Sequence, residues 1–156
     1  MKIVRDAQDF RIDDIAALLT PYIDSVLSRL KAMAEVKSII SLFEKEINGY
    51  FKDKRAEIHL QRELQFFDDT GDLLSPKELS TGERQLVFLF CASLLSRSGH
   101  TIFMIDEPEL SLNVKWQRRL VSSLANLGRG ATTQFIMATH SIEIMARHRD
   151  AVIELG

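Results

Sequence analysis

The chain has 156 residues, of which 46% are hydrophobic and 27% are charged. This is the size and composition of one globular domain with enough length for its own core, and it excludes disordered, collagen-like and fibrous classes. The 20 lysines and arginines are balanced by 22 aspartates and glutamates, so the formal net charge of −2 gives the whole chain no general attraction for nucleic acid.

The sequence lacks the usual features of secreted and membrane proteins. The uncharged stretch from Gln85 to Ser96 is shorter than the roughly 18–20 apolar residues of a membrane helix. Charged residues up to Asp6 interrupt the start before a signal peptide could form. The single cysteine, Cys91, cannot form an internal disulfide, which suits a reducing compartment. We therefore expect a cytoplasmic protein with no membrane partner.

The first third of the chain has helical periodicity. Apolar residues recur at steps of three and four over residues 12–47. Thr20 and Pro21 predict an N-cap and a first helical turn, so we expect a short helix to about Leu19 and a long helix over residues 21–47. Asn48 and Gly49 predict the helix end. We interpret most of the apolar stripe as core packing, and a lever or hairpin that couples two parts of a larger domain is the alternative.

Strand periodicity begins at residue 57. Apolar and polar side chains alternate over residues 57–67, which predicts one half-buried strand. The Asp68 to Asp72 segment predicts a tight turn that leads into Leu73 and Leu74. After a loop, an almost entirely apolar segment predicts a helix over residues 82–97, which other protein must cover.

The last third alternates strands with helices. We expect strands at residues 101–105, 134–138 and 151–155, and helices at 116–127 and 142–147. Because the strands are apolar on both faces, they predict a parallel sheet covered by helices on both sides, with right-handed crossovers. The predicted fold class is α/β, with a helical segment at residues 1–50 and the sheet-containing part at residues 51–156.

The residues that follow the strands carry the chemistry, because ligands of open parallel sheets bind beyond the carboxyl ends of the strands. Asp106 and Glu107 follow one strand, and His140 follows the next. Two carboxylates at a strand end are natural partners for hydrated Mg²⁺, with one side chain holding the metal while the other polarises a water for attack on a phosphoryl group. The alternative is that both acids cap the next helix.

A second candidate site lies where the predicted apolar helix begins. Ser80 and Gly82 place a hydroxyl, exposed backbone N–H groups and the positive end of the helix dipole where an anion can bind. An ordinary helix N-cap uses the same residue types, so this segment alone leaves both interpretations open.

These motifs together resemble those of the ABC-type ATPases, in the same order along the chain. The matching segments are Leu79-Ser80-Thr81-Gly82-Glu83 for the signature motif, Ile102 to Pro108 for the Walker B strand, Glu109 to Asn113 for the D-loop, and Ala138 to Ser141 for the switch histidine. The resemblance covers about residues 57–156. Within the superfamily the sequence is similar to the soluble RecF, SMC and OLD-like branch, which includes ATPases of bacterial anti-phage systems.

The resemblance implies a fold, a part of a P-loop ABC-ATPase domain, and a role for each residue. Asp106 would hold Mg²⁺, Glu107 would be the general base, and His140 would contact the γ-phosphate of ATP. The signature residues would contact a nucleotide held mainly by the opposite subunit, and Asn113 occupies the D-loop position between the two sites. The implied nucleotide-binding residues are Ser80, Thr81, Gly82, Glu83 and Asn113. Asn113 and Val114 replace the His-Pro of many relatives.

The phosphate-cradling Walker A loop is absent from the sequence. None of its 7 glycines is followed by lysine and then serine or threonine. That loop supplies most backbone N–H contacts to the nucleotide and the lysine that meets the β- and γ-phosphates. The chain therefore resembles the C-terminal half of an ATPase, which would need a Walker A-bearing half in the same polypeptide or as a partner chain.

The leading hypothesis is ATP binding and hydrolysis by this half, as a homodimer around ATP and Mg²⁺, in DNA repair or anti-phage defence. The alternative is a non-hydrolysing interaction or dimerisation module derived from such an ATPase. A metal-dependent nuclease is disfavoured because no further acidic cluster follows the neighbouring strands, so a nuclease activity would belong to a partner.

Two surface expectations complete the sequence analysis. Lys115, Arg118 and Arg119 beside Trp116 could contact DNA or RNA, although a solvated helix face is the preferred interpretation. We also expect the isolated chain to associate. Its exposed apolar residues should lie near Phe88, Phe90 and residues 102–105.

Overall fold

A computed structural model describes residues 12–59, 63–97 and 99–154. The helices are α1 (Ile12–Asn48), α2 (Thr81–Leu95), α3 (Val114–Gly128) and α4 (Ile142–Arg147), and the strands are β1 (Lys54–His59), β2 (Glu63–Asp68), β3 (Leu73–Leu74), β4 (His100–Asp106) and β5 (Thr132–Ala138). Short 3₁₀ turns occur at Pro76–Glu78 and Arg149–Ala151. Contacts divide the chain into two units, Met1–Ile39 and Ile40–Gly156.

Helix α1 is continuous, so the predicted division at Thr20 and Pro21 is wrong. The hydroxyl of Thr20 donates a hydrogen bond to the Ala16 carbonyl at 2.7 Å, within the same helix, instead of capping a new one. Pro21 lies inside the helix. The predicted helix end is confirmed, since α1 ends at Asn48. The Asn48 side chain then joins the helix end to β1, because it accepts from the Ala56 N–H at 2.7 Å and donates to the Ala56 carbonyl at 2.9 Å.

The described part of the first unit is the N-terminal part of α1, and its large apolar side chains are exposed. They are Ile15, Leu18, Leu19, Tyr22, Ile23, Leu27, Leu30, Met33 and Val36. The interpretation of this stripe as core packing is therefore wrong over residues 15–36. It holds at the end of the helix, in the second unit, where Phe43 and Ile47 are fully buried.

The core of the second unit lies between helices. Leu86 and Phe90 of α2 and Leu120 and Leu124 of α3 are fully buried. Tyr50 packs edge to face on Phe90, with ring centroids 5.5 Å apart. Helix α3 packs against both α2 and α4. This helical layer holds the elements that carry the site.

Residues 57–59 and 63–67 lie on the two antiparallel strands of a hairpin, so the prediction of one strand over residues 57–67 is wrong. Strands β1 and β2 pair antiparallel with Ala56 opposite Phe66 and Ile58 opposite Leu64, and β3 pairs with β2. In this register even-numbered residues face even-numbered residues, so the alternation continues in phase from strand to strand and hides the reversal. The turn at 68–72 is confirmed, with the Asp68 carboxylate accepting the Asp72 N–H at 2.8 Å.

Strands β4 and β5 are parallel and are joined through α3, as predicted. Along both strands exposed residues alternate with half-buried ones. The expectation that both faces are covered is not met by the described residues, because Ile102 and Met104 are 62% and 73% exposed. Phe88 is exposed as expected, but Phe90 is buried, contrary to expectation.

The predicted strand at residues 151–155 is not found. Arg149–Ala151 is a 3₁₀ turn and residues 152–154 have no regular structure, while Leu155 lies outside the described residues. An apolar run becomes a strand only where a neighbouring strand pairs with it, and in the described residues the parallel sheet consists of β4 and β5. In the same residues, no helix combines the length and hydropathy needed to cross a bilayer.

Candidate active site

The carboxyl edge of the parallel sheet brings together Asp106, Glu107 and His140. Asp106, the last residue of β4, stands opposite Ala138, the last residue of β5. The Glu107 N–H donates to the Ala138 carbonyl at 2.8 Å, which continues the ladder one step past the strand. His140 lies just beyond β5, and its N–H donates to the Glu109 carboxylate at 2.9 Å. The predicted convergence of these residues at one edge is therefore present.

The side chains of Asp106, Glu107 and His140 have no hydrogen-bond or ion-pair partner among the described residues. The helix-cap alternative for the two acids is wrong, because the N-cap of α3 is Asn113. His140 also lines a groove of about 650 Å³, together with Met137 and Ile144. Because these three side chains are not bonded within the described residues, they are available to a ligand.

Backbone strain accompanies this edge. Glu107 has φ +44° and Ser111 has φ +61°, in the left-handed region that non-glycine residues rarely adopt. Such residues persist only where the surroundings fix them, and they cluster at functional sites. Here the Glu107 backbone is fixed by its bond to Ala138 and by the Leu110 N–H, which donates to the Glu107 carbonyl at 3.1 Å. Pro108 beside it is fully buried.

Ser80 is the N-cap of α2 and forms a reciprocal capping box with Glu83. The Ser80 hydroxyl accepts from the Glu83 N–H at 3.3 Å, and the Glu83 carboxylate accepts from the Ser80 N–H at 2.7 Å. Lys54 pairs with the same carboxylate at 3.0 Å. Burial alone would raise the pKa of Glu83, but the Ser80 hydrogen bonds and Lys54 outweigh it and hold that pKa below its ordinary value.

Gly82 allows the start of α2 to approach the loop after β4. A Cβ atom at this position would lie 2.5 Å from the Ser111 carbonyl oxygen and 3.2 Å from the Trp116 ring. Since Cβ contacts below 3.0 Å do not occur without displacement, only glycine fits here. The predicted signature segment and the predicted D-loop are therefore neighbours within one chain.

The remaining predicted residues have simple local surroundings. Thr81 is exposed in the first turn of α2. The Asn113 side-chain oxygen accepts from the Trp116 N–H at 3.1 Å as the N-cap of α3. The structure thus gives Asn113 a capping role at the start of the helix that joins the two strands.

The basic residues of α3 are mostly engaged within the chain. Arg118 makes a two-pronged ion pair with Glu143, at 2.6 and 3.1 Å. Arg119 donates to the Gly49 carbonyl at 2.7 Å and lies 4.7 Å above the Tyr50 ring. These contacts give both arginines structural roles. They favour the preferred interpretation, an ordinary helix face, over a site that contacts DNA or RNA.

Sequence reasoning missed Glu109 and Gln117. Glu109 was visible as an acid after Pro108, but nothing in the sequence indicated a contact with a backbone N–H 31 residues away. Gln117 joins the two loops, because its amide N–H donates to the Leu112 carbonyl at 2.8 Å while its oxygen accepts from the Ser141 hydroxyl at 2.7 Å.

The carboxylates at this edge suit a hydrated cation better than a cage of protein ligands. No group of three or more histidine, cysteine, aspartate or glutamate side chains in the described residues could hold a metal. Mg²⁺ is usually bound by one or two carboxylates together with waters and substrate phosphates. The partner-free carboxylates of Asp106 and Glu107 fit that description.

Comparison with known proteins shows which proteins this chain is similar to. Residues 15–146 match the protein family described as "AAA domain, putative AbiEii toxin, Type IV TA system". A Bacillus thuringiensis protein described as "Putative ABC transporter ATP-binding protein" is 36% identical over 80 residues, which are 51% of this chain and 14% of that protein. UvrABC system protein A of Deinococcus radiodurans is 29% identical over 126 residues, which are 78% of this chain and 12% of that protein.

The chain therefore spans about an eighth of the length of these curated relatives, 14% and 12%. A similar fold is found in a solved structure from work on ATP-driven dimerization and DNA-stimulated activation of SMC ATPases. That match has a TM-score of 0.51 and 18% identity, and it covers 74% of each chain.

Proposed function

Because this chain belongs to the AAA domain family and is a RecF/SMC-like ABC-type P-loop ATPase domain, we propose that its sheet edge binds and hydrolyses ATP. The observation that carries the proposal is the convergence of Asp106, Glu107 and His140 at one sheet edge without partners in the described residues. Asp106 and His140 are exposed to solvent and Glu107 is half-buried, so all three side chains are open to a ligand at this edge.

Each side chain has a distinct part in this proposal. Glu107 accepts a proton from the attacking water, from a backbone held in the left-handed region at φ +44°. Asp106 is the residue that would hold Mg²⁺, which when bound would neutralise phosphate charge. His140 donates a hydrogen bond to the γ-phosphate. The hydrolysed bond is the one between the β- and γ-phosphates, and water adds to the γ-phosphorus.

The start of α2 completes the site from a second copy of the chain. Ser80 and Thr81 are exposed there, and the free N–H groups of a first helical turn attract anions. Glu83 contributes by fixing the Ser80 backbone, and Gly82 by letting the loop with Asn113 approach. We propose that this surface meets ATP across a homodimer.

A Walker A-bearing half is required for this chemistry. The sequence contains no Gly-Lys-Ser or Gly-Lys-Thr, so the main phosphate-binding loop must come from elsewhere in the polypeptide or from a partner chain. In this proposal residues 51–156 are the C-terminal part of the ATPase domain, and the helical segment at residues 1–50 is a lever between the halves.

We place this activity in DNA repair or anti-phage defence. The description of the matched family includes a toxin of a Type IV TA system, and UvrABC system protein A is among the relatives. A nuclease, where one takes part, belongs to the partner. Contact with DNA or RNA belongs to the assembled protein, since the arginines of α3 are engaged within the chain.

The test measures ATP turnover after the chain is combined with its Walker A half, for wild type and Glu107→Gln. We expect the substitution to abolish turnover while Mg-ATP-dependent assembly remains, because only the proton acceptor is removed. Glu63→Gln is the matched control, since Glu63 is also a left-handed glutamate but lies on the hairpin. Unchanged turnover in Glu107→Gln would show that Glu107 is not the base.

The alternative, a non-hydrolysing interaction module, is favoured by the missing Walker A sequence alone. It predicts assembly that is independent of Mg-ATP. Sedimentation with and without Mg-ATP separates the two functions, because association that ignores the nucleotide would exclude the ATP-driven homodimer.

A further inference from the structure

We infer that Glu109 is a positioning residue that sets the switch histidine in place through its backbone, an inference that rests on the proposed function. The Glu109 carboxylate accepts the His140 N–H at 2.9 Å, across 31 residues of sequence. The imidazole of His140 is left without a partner among the described residues. A fixed backbone limits the positions that the ring can reach, while the unpartnered ring stays available to a ligand.

Glu109 is not needed to shape its own loop. The loop is set by backbone hydrogen bonds, from the Leu110 N–H to the Glu107 carbonyl at 3.1 Å and from the Leu112 N–H to the Glu109 carbonyl at 3.0 Å. The Glu109 side chain takes no part in either bond. Its one hydrogen bond in the described residues goes across to the end of β5.

The second carboxylate oxygen of Glu109 supports a functional role. It is buried and has no hydrogen-bond partner among the described residues. An unpaired buried acceptor costs stability, so a purely structural position would favour a neutral or apolar side chain. The carboxylate is therefore retained at a cost to the fold.

A second connection holds the other side of the same segment. Gln117 accepts from the Ser141 hydroxyl at 2.7 Å and donates to the Leu112 carbonyl at 2.8 Å. His140 is thus held between Glu109, through its own N–H, and Gln117, through Ser141. Glu109 lies on the loop that follows Asp106 and Glu107, and Gln117 of α3 is bonded to the Leu112 carbonyl of the same loop, so the histidine segment is tied to the loop that follows the two acids.

The first test is hydrogen exchange of the His140 amide in the full 156-residue chain. Glu109→Ala should speed this exchange by about tenfold, the effect of losing one hydrogen bond. Glu109→Gln keeps an acceptor oxygen and should preserve the protection. The Glu107 amide, bonded to the Ala138 carbonyl, is the internal control and should be unchanged. Equal His140 exchange in wild type and Glu109→Ala would overturn the inference.

The second test is turnover with the Walker A half. Glu109→Ala should lower kcat by about 10- to 100-fold with KM nearly unchanged, because a misplaced group costs rate more than ground-state binding. Glu109→Gln should restore kcat. If the alanine variant does not fold, Glu109→Met fills the space without an acceptor and carries the same expectation. Glu44→Ala, which removes a carboxylate bonded to the Ile58 N–H at 2.7 Å, is the matched control that should keep kcat.

The two proposals fail separately. If Glu107→Gln abolishes turnover while Glu109→Ala and Glu109→Met keep it, the positioning role is wrong and the ATPase proposal stands. Equal losses in Glu109→Gln and Glu109→Ala would also overturn the role, since the acceptor would not be what matters. If no variant and not even the wild-type chain turns over ATP with its Walker A half, the ATPase proposal fails, and exchange at the His140 amide still decides whether Glu109 holds that backbone.

Discussion

Glu107 has a left-handed backbone conformation, with φ +44°, which suits glycine better than glutamate. Its carboxylate makes no hydrogen bond or ion pair with the described residues that a substitution would remove. We therefore expect Glu107→Gly to stabilise the fold and to abolish ATP hydrolysis at the same time. Glu107→Ala should abolish hydrolysis without the gain in stability, because alanine keeps the Cβ atom that opposes this conformation.

The size of the effect follows from two opposing terms. A left-handed conformation costs an L-residue with a Cβ roughly 1–2 kcal/mol, which glycine relieves. The more flexible unfolded chain of the glycine variant costs about 0.4–1 kcal/mol. The difference leaves Glu107→Gly more stable than Glu107→Ala by about 0.5–1 kcal/mol, which is the reverse of the usual order of these two residues. The unfolding midpoint should rise by about 2–4 °C per kcal/mol.

Urea and thermal unfolding of wild type, Glu107→Ala and Glu107→Gly measure this difference. Glu63 provides a matched control, since it has φ +67° on the exposed hairpin. Glu63→Gly should show a similar gain over Glu63→Ala and leave ATP turnover intact. If Glu107→Gly proves less stable than Glu107→Ala while the Glu63 pair behaves as expected, the left-handed strain at Glu107 is not real and the reasoning fails.

Three further predictions concern the rest of the fold. Gly82→Ala should lose about 1–3 kcal/mol in urea unfolding, because the new Cβ meets the Ser111 carbonyl; wild-type stability would refute the close approach. The pKa of Glu83 is lower in the folded chain, so its pairing stabilises above the ordinary value of 4.5 and is lost as pH falls below it. Lys54→Met should therefore flatten the acid loss seen in pH-dependent unfolding, and an unchanged slope would contradict this. Met104→Gln, on the exposed sheet face, should reduce self-association in sedimentation with stability changed by less than about 0.5 kcal/mol; undiminished association would assign it to another surface.

Sequence reasoning predicted what short-range patterns determine. The order of α2, β4, α3, β5 and α4 follows from apolar runs, and the position of Asp106, Glu107 and His140 follows from the rule that parallel strands end at one edge. The spacing of the motifs was enough to place the candidate site without any coordinate. Chain order and strand direction together determine these features.

The parts that could not be predicted depend on distant partners. The hairpin was hidden because alternation stays in phase through an antiparallel reversal. The pairing of Lys54 with Glu83, 29 residues apart, also has no local pattern, and it gives the capping carboxylate of Glu83 an ion pair. The contact from Glu109 to the His140 N–H has no local pattern at all. The uncovered face of the sheet could not be predicted either. A strand sequence that is apolar on both faces does not indicate which element, if any, covers each face.

The structure separates the groups proposed for chemistry from the groups that hold the fold. The sheet edge is assembled by backbone bonds and by Glu109 and Gln117, so neither Glu107 nor His140 needs its side chain to stay in place. Asp106 is likewise placed by its register with β5. Substitution of these side chains should therefore leave the folded edge intact, and a loss of turnover in such variants would report the loss of a chemical group. Substitution of Glu109 removes a support, so it changes the position of the histidine while all the chemical groups remain.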